Sequence, residues 1–337
     1  MTENETTELL EHIAEELLSL GEISLPYKIE KHAHQGYMSQ VFILSSAEGE
    51  LIVHLAKPFQ HHRTYKTWEK LRATSALVTR ETRLPVSRMI LAEPVDDAFI
   101  TVQTKLPGVI AGSRAILGHS IVDTWLQDKK SLIPHLQKIV AEIHSIQVTG
   151  FGLPVEKNRQ LEGTSAEWKD FFLQGIPLWL ESLGRLEKQG SLYHEMTAYT
   201  EKFCTLLPSL PPSLIHGDLG NPTNILVEKE DIVGIIDWEW SIIGDPAWEF
   251  CDPGWGNIIA EIGLDTYFRE RNIRSTEAKE TFLKWIILYR PLWSLWEAYV
   301  HRENEDLIIY ETLRMLMEKD LIEAKKQLPP SEVVVRG

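Results

Sequence analysis

Between residues 213 and 249 the chain carries His216, Asp218, Asn224 and Asp237 in that order, set between short apolar runs. The run Ser213-Leu214-Ile215 ends on His216-Gly217-Asp218, and a polar loop follows. Apolar sequence resumes at Asn224-Ile225-Leu226-Val227, turns at residues 228–231, and runs out through 232–236 to Asp237. Two short β-runs bounded by turn residues read as a hairpin, which brings Asn224 at the start of one strand near Asp237 at the end of the other. Two carboxylates and an amide then converge on one side of a small sheet. Mg²⁺ takes hard oxygen ligands and binds through one or two carboxylates plus substrate phosphates, a role that fits Asn224 and Asp237. Asp218 stands where a base could orient a hydroxyl and accept its proton during phosphoryl transfer. Any one of these pieces alone reads more readily as a turn or a strand-end cap; their order and separation make the case.

The set His216-Gly217-Asp218…Asn224, Ile236-Asp237-Trp238 and Gly244-Asp245-Pro246 resembles the aminoglycoside phosphotransferase and choline kinase-like family of small-molecule kinases. The resemblance implies an α+β, protein-kinase-like fold of two lobes, a small antiparallel-sheet N-lobe and a mainly helical C-lobe. It implies transfer of the γ-phosphoryl of ATP (or GTP), with Mg²⁺, to a hydroxyl of a small, cationic molecule such as an aminoglycoside-like antibiotic, or of another small alcohol. Asp218 would be the base, His216 a prop behind the catalytic loop, and Asn224 with Asp237 the metal ligands. One departure stands out. The kinase Asn follows its His by seven residues, whereas Asn224 follows His216 by eight (224 − 216 = 8). A Gly/Asn/Pro loop absorbs one extra residue readily, and Asn221 is the second candidate. Acidic groups of this family hold acceptor amines, which points to Asp245, Glu249, Asp252 and Glu297, with Asp245 alternatively supporting the loop backbone. Trp238, Trp240, Trp248, Trp255, Trp285, Trp293 and Trp296 could offer faces to a cation, although most Trp residues are expected in the core.

The elements that must position these residues are legible in outline. Leu9, Leu10, Ile13, Leu17 and Leu20 recur at helical spacing and predict an amphipathic N-terminal helix. Short β-rich runs at 27–32, 40–44 and 51–56, separated by Gly36 and Gly49, open a small antiparallel sheet. By the resemblance this lobe covers the nucleotide, with the loop 34–39 and the Ser39 hydroxyl over its phosphates. The phosphate-holding basic residue of the third strand falls on His54 or on Lys57, the latter preferred because it carries a charge. Residues 64–79 predict a helix whose Glu69 is either the ion-pair partner of that basic residue or a solvated side chain. A strand at 99–103 leads into Thr104-Lys105-Leu106-Pro107-Gly108, similar to the interlobe hinge, so that Gln103 and Lys105 would lie against adenine. The boundary between an N-terminal nucleotide-binding lobe, 1–106, and a C-terminal catalytic and substrate-binding lobe, 107–337, follows from it.

Beyond the hinge the chain reads as mostly helical, at 133–147, 168–187, 193–207, about 279–301 and 307–328, with His144 as a packed structural histidine. The 337 residues carry a net charge of −15, a field that repels phosphate backbones and argues against a nucleic-acid partner. Two cysteines without metal or disulfide spacing, no membrane-length apolar run and an acidic N-terminus predict a cytoplasmic protein. Two rival readings remain open: a non-catalytic nucleotide-binding scaffold of the same fold, and a metal-dependent phosphohydrolase.

Overall fold

The computed structural model describes residues 2–32, 39–56, 68–95, 98–117, 120–126, 128–157, 160–303 and 306–329. Helix α1, Glu3–Leu20, opens on a capping box: the Glu5 N–H donates to Thr2 Oγ1 at 3.3 Å and the Thr2 N–H donates to Glu5 Oε2 at 2.6 Å. It stops at Gly21, which takes the left-handed conformation at φ 73°. Leu10, Ile13, Ala14 and Leu17 pack against Phe42, Leu44, Leu51, Val53, Leu55, Ile100 and Val102, forming a small core of their own. Leu20 lies outside this stripe and is 57% exposed. The sheet beneath consists of β1 (Lys28–Lys31), β2 (Ser39–Ser46) and β3 (Gly49–Ala56), then, after helix α2 (Trp68–Glu81), β4 (Met89–Val95) and β5 (Ala98–Thr104). Its order is β1-β2-β3-β5-β4, antiparallel throughout. Helix α2 belongs to the other core: Leu71, Ala73, Leu77 and Val78 pack with residues that follow the hinge.

That larger core is built from β6 (Val109–Ile110), β7 (Gly112–Leu117), β8 (Ser120–Trp125), α3 (Lys129–Ile143), β9 (Phe151–Lys157), β10 (Gln160–Ser165), α4 (Trp168–Glu187), α5 (Ser191–Cys204), β11 (Ser213–Ile215), β12 (Ile225–Glu228), β13 (Asp231–Ile235), β14 (Ile242–Gly244), α6 (Pro253–Glu261), α7 (Asp265–Glu270), α8 (Thr276–Glu303) and α9 (Leu307–Gln327). The fold is α+β with antiparallel sheets. Three small sheets lie among the helices: β13-β12-β6, β10-β9-β14-β11 and the hairpin β7-β8. The hairpins β7-β8 and β9-β10 fall between the expected helices, where no strand was expected, and α3 begins four residues before its expected start, on the cap of Asp128, whose carboxylate accepts from the Lys130 N–H at 3.0 Å. His144 caps α3 and its Nδ1 lies 2.9 Å from the Tyr267 hydroxyl. Among the described residues no helix is long and apolar enough to cross a membrane.

Candidate active site

The site is assembled by two strand pairs. Strands β11 and β14 run antiparallel with Ser213 opposite Gly244, and β12 pairs with β13 through Ile225 opposite Ile235. The Ile236 N–H donates to the Asn224 carbonyl at 3.0 Å, which sets Asn224 beside the residue preceding Asp237. His216 is fully buried; its Nε2 lies 3.0 Å from the Ile236 carbonyl and its ring centroid 4.5 Å from that of Trp238. Gly217 adopts φ +89°, and a Cβ there would stand 2.5 Å from the Trp240 carbonyl oxygen, so no other residue fits without moving the turn. Glu249, buried, holds the turn from beneath: its Oε2 accepts from the His216 and Gly217 N–H groups at 2.8 and 3.1 Å, and its Oε1 from the Leu219 N–H at 3.4 Å. The loop thus hangs on a buried carboxylate whose charge its own backbone dipoles satisfy.

Asp218 is partly buried, with 16% of its side chain exposed. Its Oδ2 accepts from Asn224 Nδ2 at 2.7 Å and Asn221 Nδ2 at 3.2 Å; its Oδ1 accepts from Arg114 Nη1 at 3.3 Å. Burial pushes this carboxyl well above the usual carboxylate range; Arg114 pulls it down, while Asp252, Asp237 and Glu297 push it up. Arg114 reaches the loop because β6 pairs with β12 and the Ala111 N–H donates to the Ile225 carbonyl at 2.7 Å, so that β7 starts beside the turn that bears Asp218. Its guanidinium also donates to both oxygens of Asp123, at 2.8 and 3.0 Å, and to both oxygens of Asp252, at 2.8 and 2.9 Å. Burial alone would weaken its charge, but Asp252, Asp123 and Asp218 outweigh burial and hold it protonated.

Asp237 takes the left-handed conformation, φ 67° and ψ 57°, and is exposed. A non-glycine residue held there marks a place where the surroundings over-determine the backbone, a frequent property of functional sites. Lys70 of α2 fixes the turn that follows: buried, it donates through Nζ to the Glu239 carbonyl and, at 3.2 Å, to that of Ser241. Asp237, exposed, and Asn224, the last residue of the short helical turn Pro222–Asn224 before β12, carry the hard oxygen groups that could hold Mg²⁺ together with phosphate oxygens.

Residues 30–275 match the family model described as the phosphotransferase enzyme family. The chain belongs to that family. Among solved structures, it is similar to a thermostable mutant of aminoglycoside phosphotransferase APH(4)-Ia in ternary complex with ADP and hygromycin B, at TM-score 0.63 and 14% identity, covering 91% of this chain and 96% of the other. It is also similar to a putative fructosamine-3-kinase from Haemophilus somnus 129PT, at TM-score 0.55 and 14% identity over 87% and 91% of the two chains. A macrolide 2'-phosphotransferase type I gives TM-score 0.56 and 14% identity over 98% and 99%. A search of curated protein sequences returns no match. The chain is therefore a small-molecule kinase of the phosphotransferase family, with the kinase-like two-lobe fold.

The remaining residues expected at a phosphotransferase site are placed as follows. Lys57 and the side chains of Ser39 and Glu69 lie outside the described residues. His54 faces Gln103, ring Nε2 to amide Nε2 at 3.3 Å, and burial pushes it down to about 4, so at neutral pH it is an uncharged imidazole. Lys105 is turned to Glu50, its Nζ 2.6 Å from Oε2 and its N–H donating to the Glu50 carbonyl at 3.0 Å. Of the four carboxylates expected to meet acceptor amines, three are engaged by the protein. Asp245 accepts from the Ala247 N–H and the Tyr289 hydroxyl, both at 2.9 Å; Glu249 carries the turn 216–219; Asp252 holds Arg114 and accepts from the Gly254 N–H at 2.8 Å. Glu297, 7% exposed, has His301 Nε2 at 3.5 Å. Of the seven Trp residues, Trp238, Trp248, Trp255, Trp293 and Trp296 are buried core, which leaves Trp240 and Trp285 with partly open faces. Sequence reasoning missed Arg114 and Asp123; the one signal was their placement at matching positions of a short alternating hairpin.

Proposed function

We propose that this phosphotransferase moves the γ-phosphoryl group of ATP to a hydroxyl of a small molecule, with Asp218 as the base and Asn224 and Asp237 as the metal-holding pair. The observation that carries this reading is the convergence of three side chains from consecutive turns: Asn224 touches the Asp218 carboxylate at 2.7 Å and adjoins, through the Ile236 N–H, the strand end that bears Asp237. A bound Mg²⁺ would supply charge neutralisation on the phosphate oxygens and hold them in line. Asp218 accepts the acceptor's proton as its oxygen attacks the γ-phosphorus; the bond to the β–γ bridging oxygen breaks and its electron pair leaves with ADP. The transition state is loose and charged, so the chain's work is positioning: Glu249 and His216 fix the turn, and Asn221 and Asn224 fix the carboxylate.

Asp245, Glu249 and Asp252 are held by protein hydrogen bonds, whereas Glu297 has the longer His301 contact at 3.5 Å, so selection of an acceptor amine would fall to Glu297, which lies near enough to raise Asp218 electrostatically. The test is an ADP-release screen with MgATP against aminoglycosides, macrolides, choline, sugar alcohols and amino-acid alcohols. Release that depends on one acceptor class, with a phosphorylated product in the mass spectrum, supports the proposal. ADP or phosphate release indifferent to every acceptor contradicts it.

A further inference from the structure

We infer that Arg114, on the β7-β8 hairpin, is a positioning residue for phosphoryl transfer: it fixes Asp218 so that a single acceptor position, on Oδ1, faces the attacking hydroxyl. The inference rests on Asp218 being the base. A carboxylate offers roughly two acceptor positions on each oxygen. On Asp218, Oδ2 is filled by the amides of Asn224 and Asn221, whereas Oδ1 receives only Arg114 Nη1 at 3.3 Å among the described residues. The hydroxyl therefore meets the carboxylate at Oδ1, next to the guanidinium.

That guanidinium has no slack. Arginine carries five N–H donors in a rigid planar fork. Nε donates to Asp123, Nη2 to Asp123 and Asp252, and Nη1 to Asp252 and Asp218, so each donor is matched by one contact. Asp123 sits directly across the hairpin from Arg114 in the strand register, and Asp252 is pinned as the cap of α6. The packing has also been kept open for this clasp. A Cβ at Gly220 would stand 2.1 Å from Asp252 Oδ1, and one at Gly254 would stand 2.6 Å from Asp123 Oδ2 and 2.8 Å from Arg114 Nη2. An arginine that merely neutralised buried acids would need only proximity; this one ties two rigid anchors to the remaining contact on Oδ1. The hairpin then reports directly to the base, and Asp123 and Asp252 act through Arg114.

The experiment measures kcat and KM for MgATP with water, and separately with excess glycerol, as acceptor, in the wild type, Arg114→Lys, Arg114→Met and Asp218→Asn. Lysine keeps the charge but not the fork, so Arg114→Lys and Arg114→Met are expected to lower kcat by roughly 10- to 100-fold, the size of a displaced catalytic group, with KM for MgATP within about twofold. Guanidinium ion added at millimolar concentration is expected to restore part of the Arg114→Met rate and none of the Asp218→Asn rate. Should Arg114→Met not fold, Arg114→Met/Asp252→Asn, which removes one charge of each sign, carries the same readout, its folding checked by thermal melting and MgATP binding. Folded Arg114 variants with wild-type kcat and only a lowered Tm overturn the inference and leave Asp218 as the base. A wild-type rate in Asp218→Asn overturns the reading on which it rests.

Discussion

Single carboxylates in this chain do different work because their surroundings differ. Glu249 is stripped of water yet met by three backbone N–H groups, at 2.8, 3.1 and 3.4 Å. Replacing it by Ala removes charge-assisted bonds worth roughly 1.5–3 kcal/mol each before relaxation and frees the catalytic turn. Glu249→Ala is therefore expected to lose at least about 3 kcal/mol of stability and more than 10-fold in kcat, read by urea unfolding and steady-state turnover. Asp245 is the opposite case: burial raises its carboxyl from 3.8 to about 6, against the pull of the Ala247 N–H and the Tyr289 hydroxyl. A raised acid binds its proton more tightly folded than unfolded, so its stabilising effect is complete below about pH 4 and is lost as pH rises through about 6. Two units correspond to on the order of 3 kcal/mol. The stability of the wild type relative to Asp245→Asn is expected to fall by that order between pH 4 and pH 7; a difference that stays flat or rises over that range would contradict the assignment.

At the scale of elements, the turn after β11 is where the proposed base sits, and glycine gives that turn its shape. Gly217→Ala places a Cβ 2.5 Å from the Trp240 carbonyl at a positive φ, so it is expected to cost more than about 2 kcal/mol and to lower kcat. Urea midpoints and turnover of that variant check this; neutral values for both would refute it. This turn was legible in the sequence because the runs before Asp218, after Asn224 and before Asp237 are bounded by turn residues and have the length of short strands. The bulged loop that sets Asn224 eight residues after His216 closes as a short helical turn, and Asn224 reaches Asp218 nonetheless. The β7-β8 hairpin was not legible. Its inward positions hold Arg114, Ile116, Ile121, Asp123 and Trp125, so apolar alternation is broken by the two residues that matter most. The acidic residues 245, 249 and 252 were visible as a cluster, but their partners, a tyrosine hydroxyl, a turn's backbone and an arginine from a distant hairpin, are tertiary facts. Likewise, nothing local shows that Lys70 reaches from α2 to the turn after Asp237.

The described residues form two apolar cores, and the proposed base and metal-holding residues stand on elements of the larger one. The smaller joins α1 to the five-stranded sheet; the larger holds α2, the small sheets and the remaining helices. Ten of the 11 Trp residues lie in or against the larger core, so Trp fluorescence reports mainly on it. Leu17→Ala removes a fully buried side chain from the smaller core and is expected to cost roughly 2–5 kcal/mol there. Far-UV circular dichroism should show an early transition in that variant, while the Trp fluorescence transition moves less; identical shifts in both would mean the cores unfold as one. As the proposed base, Asp218 would act in the chemical step and not in nucleotide binding. Its most direct test is a pair of measurements on Asp218→Asn: the Kd for MgATP by calorimetry and single-turnover transfer of labelled γ-phosphate. A proton-accepting Asp218 predicts a Kd within about threefold of the wild type and a transfer rate lower by on the order of 10²–10⁴. Transfer at the wild-type rate, or a loss explained wholly by failure to bind MgATP, would contradict it.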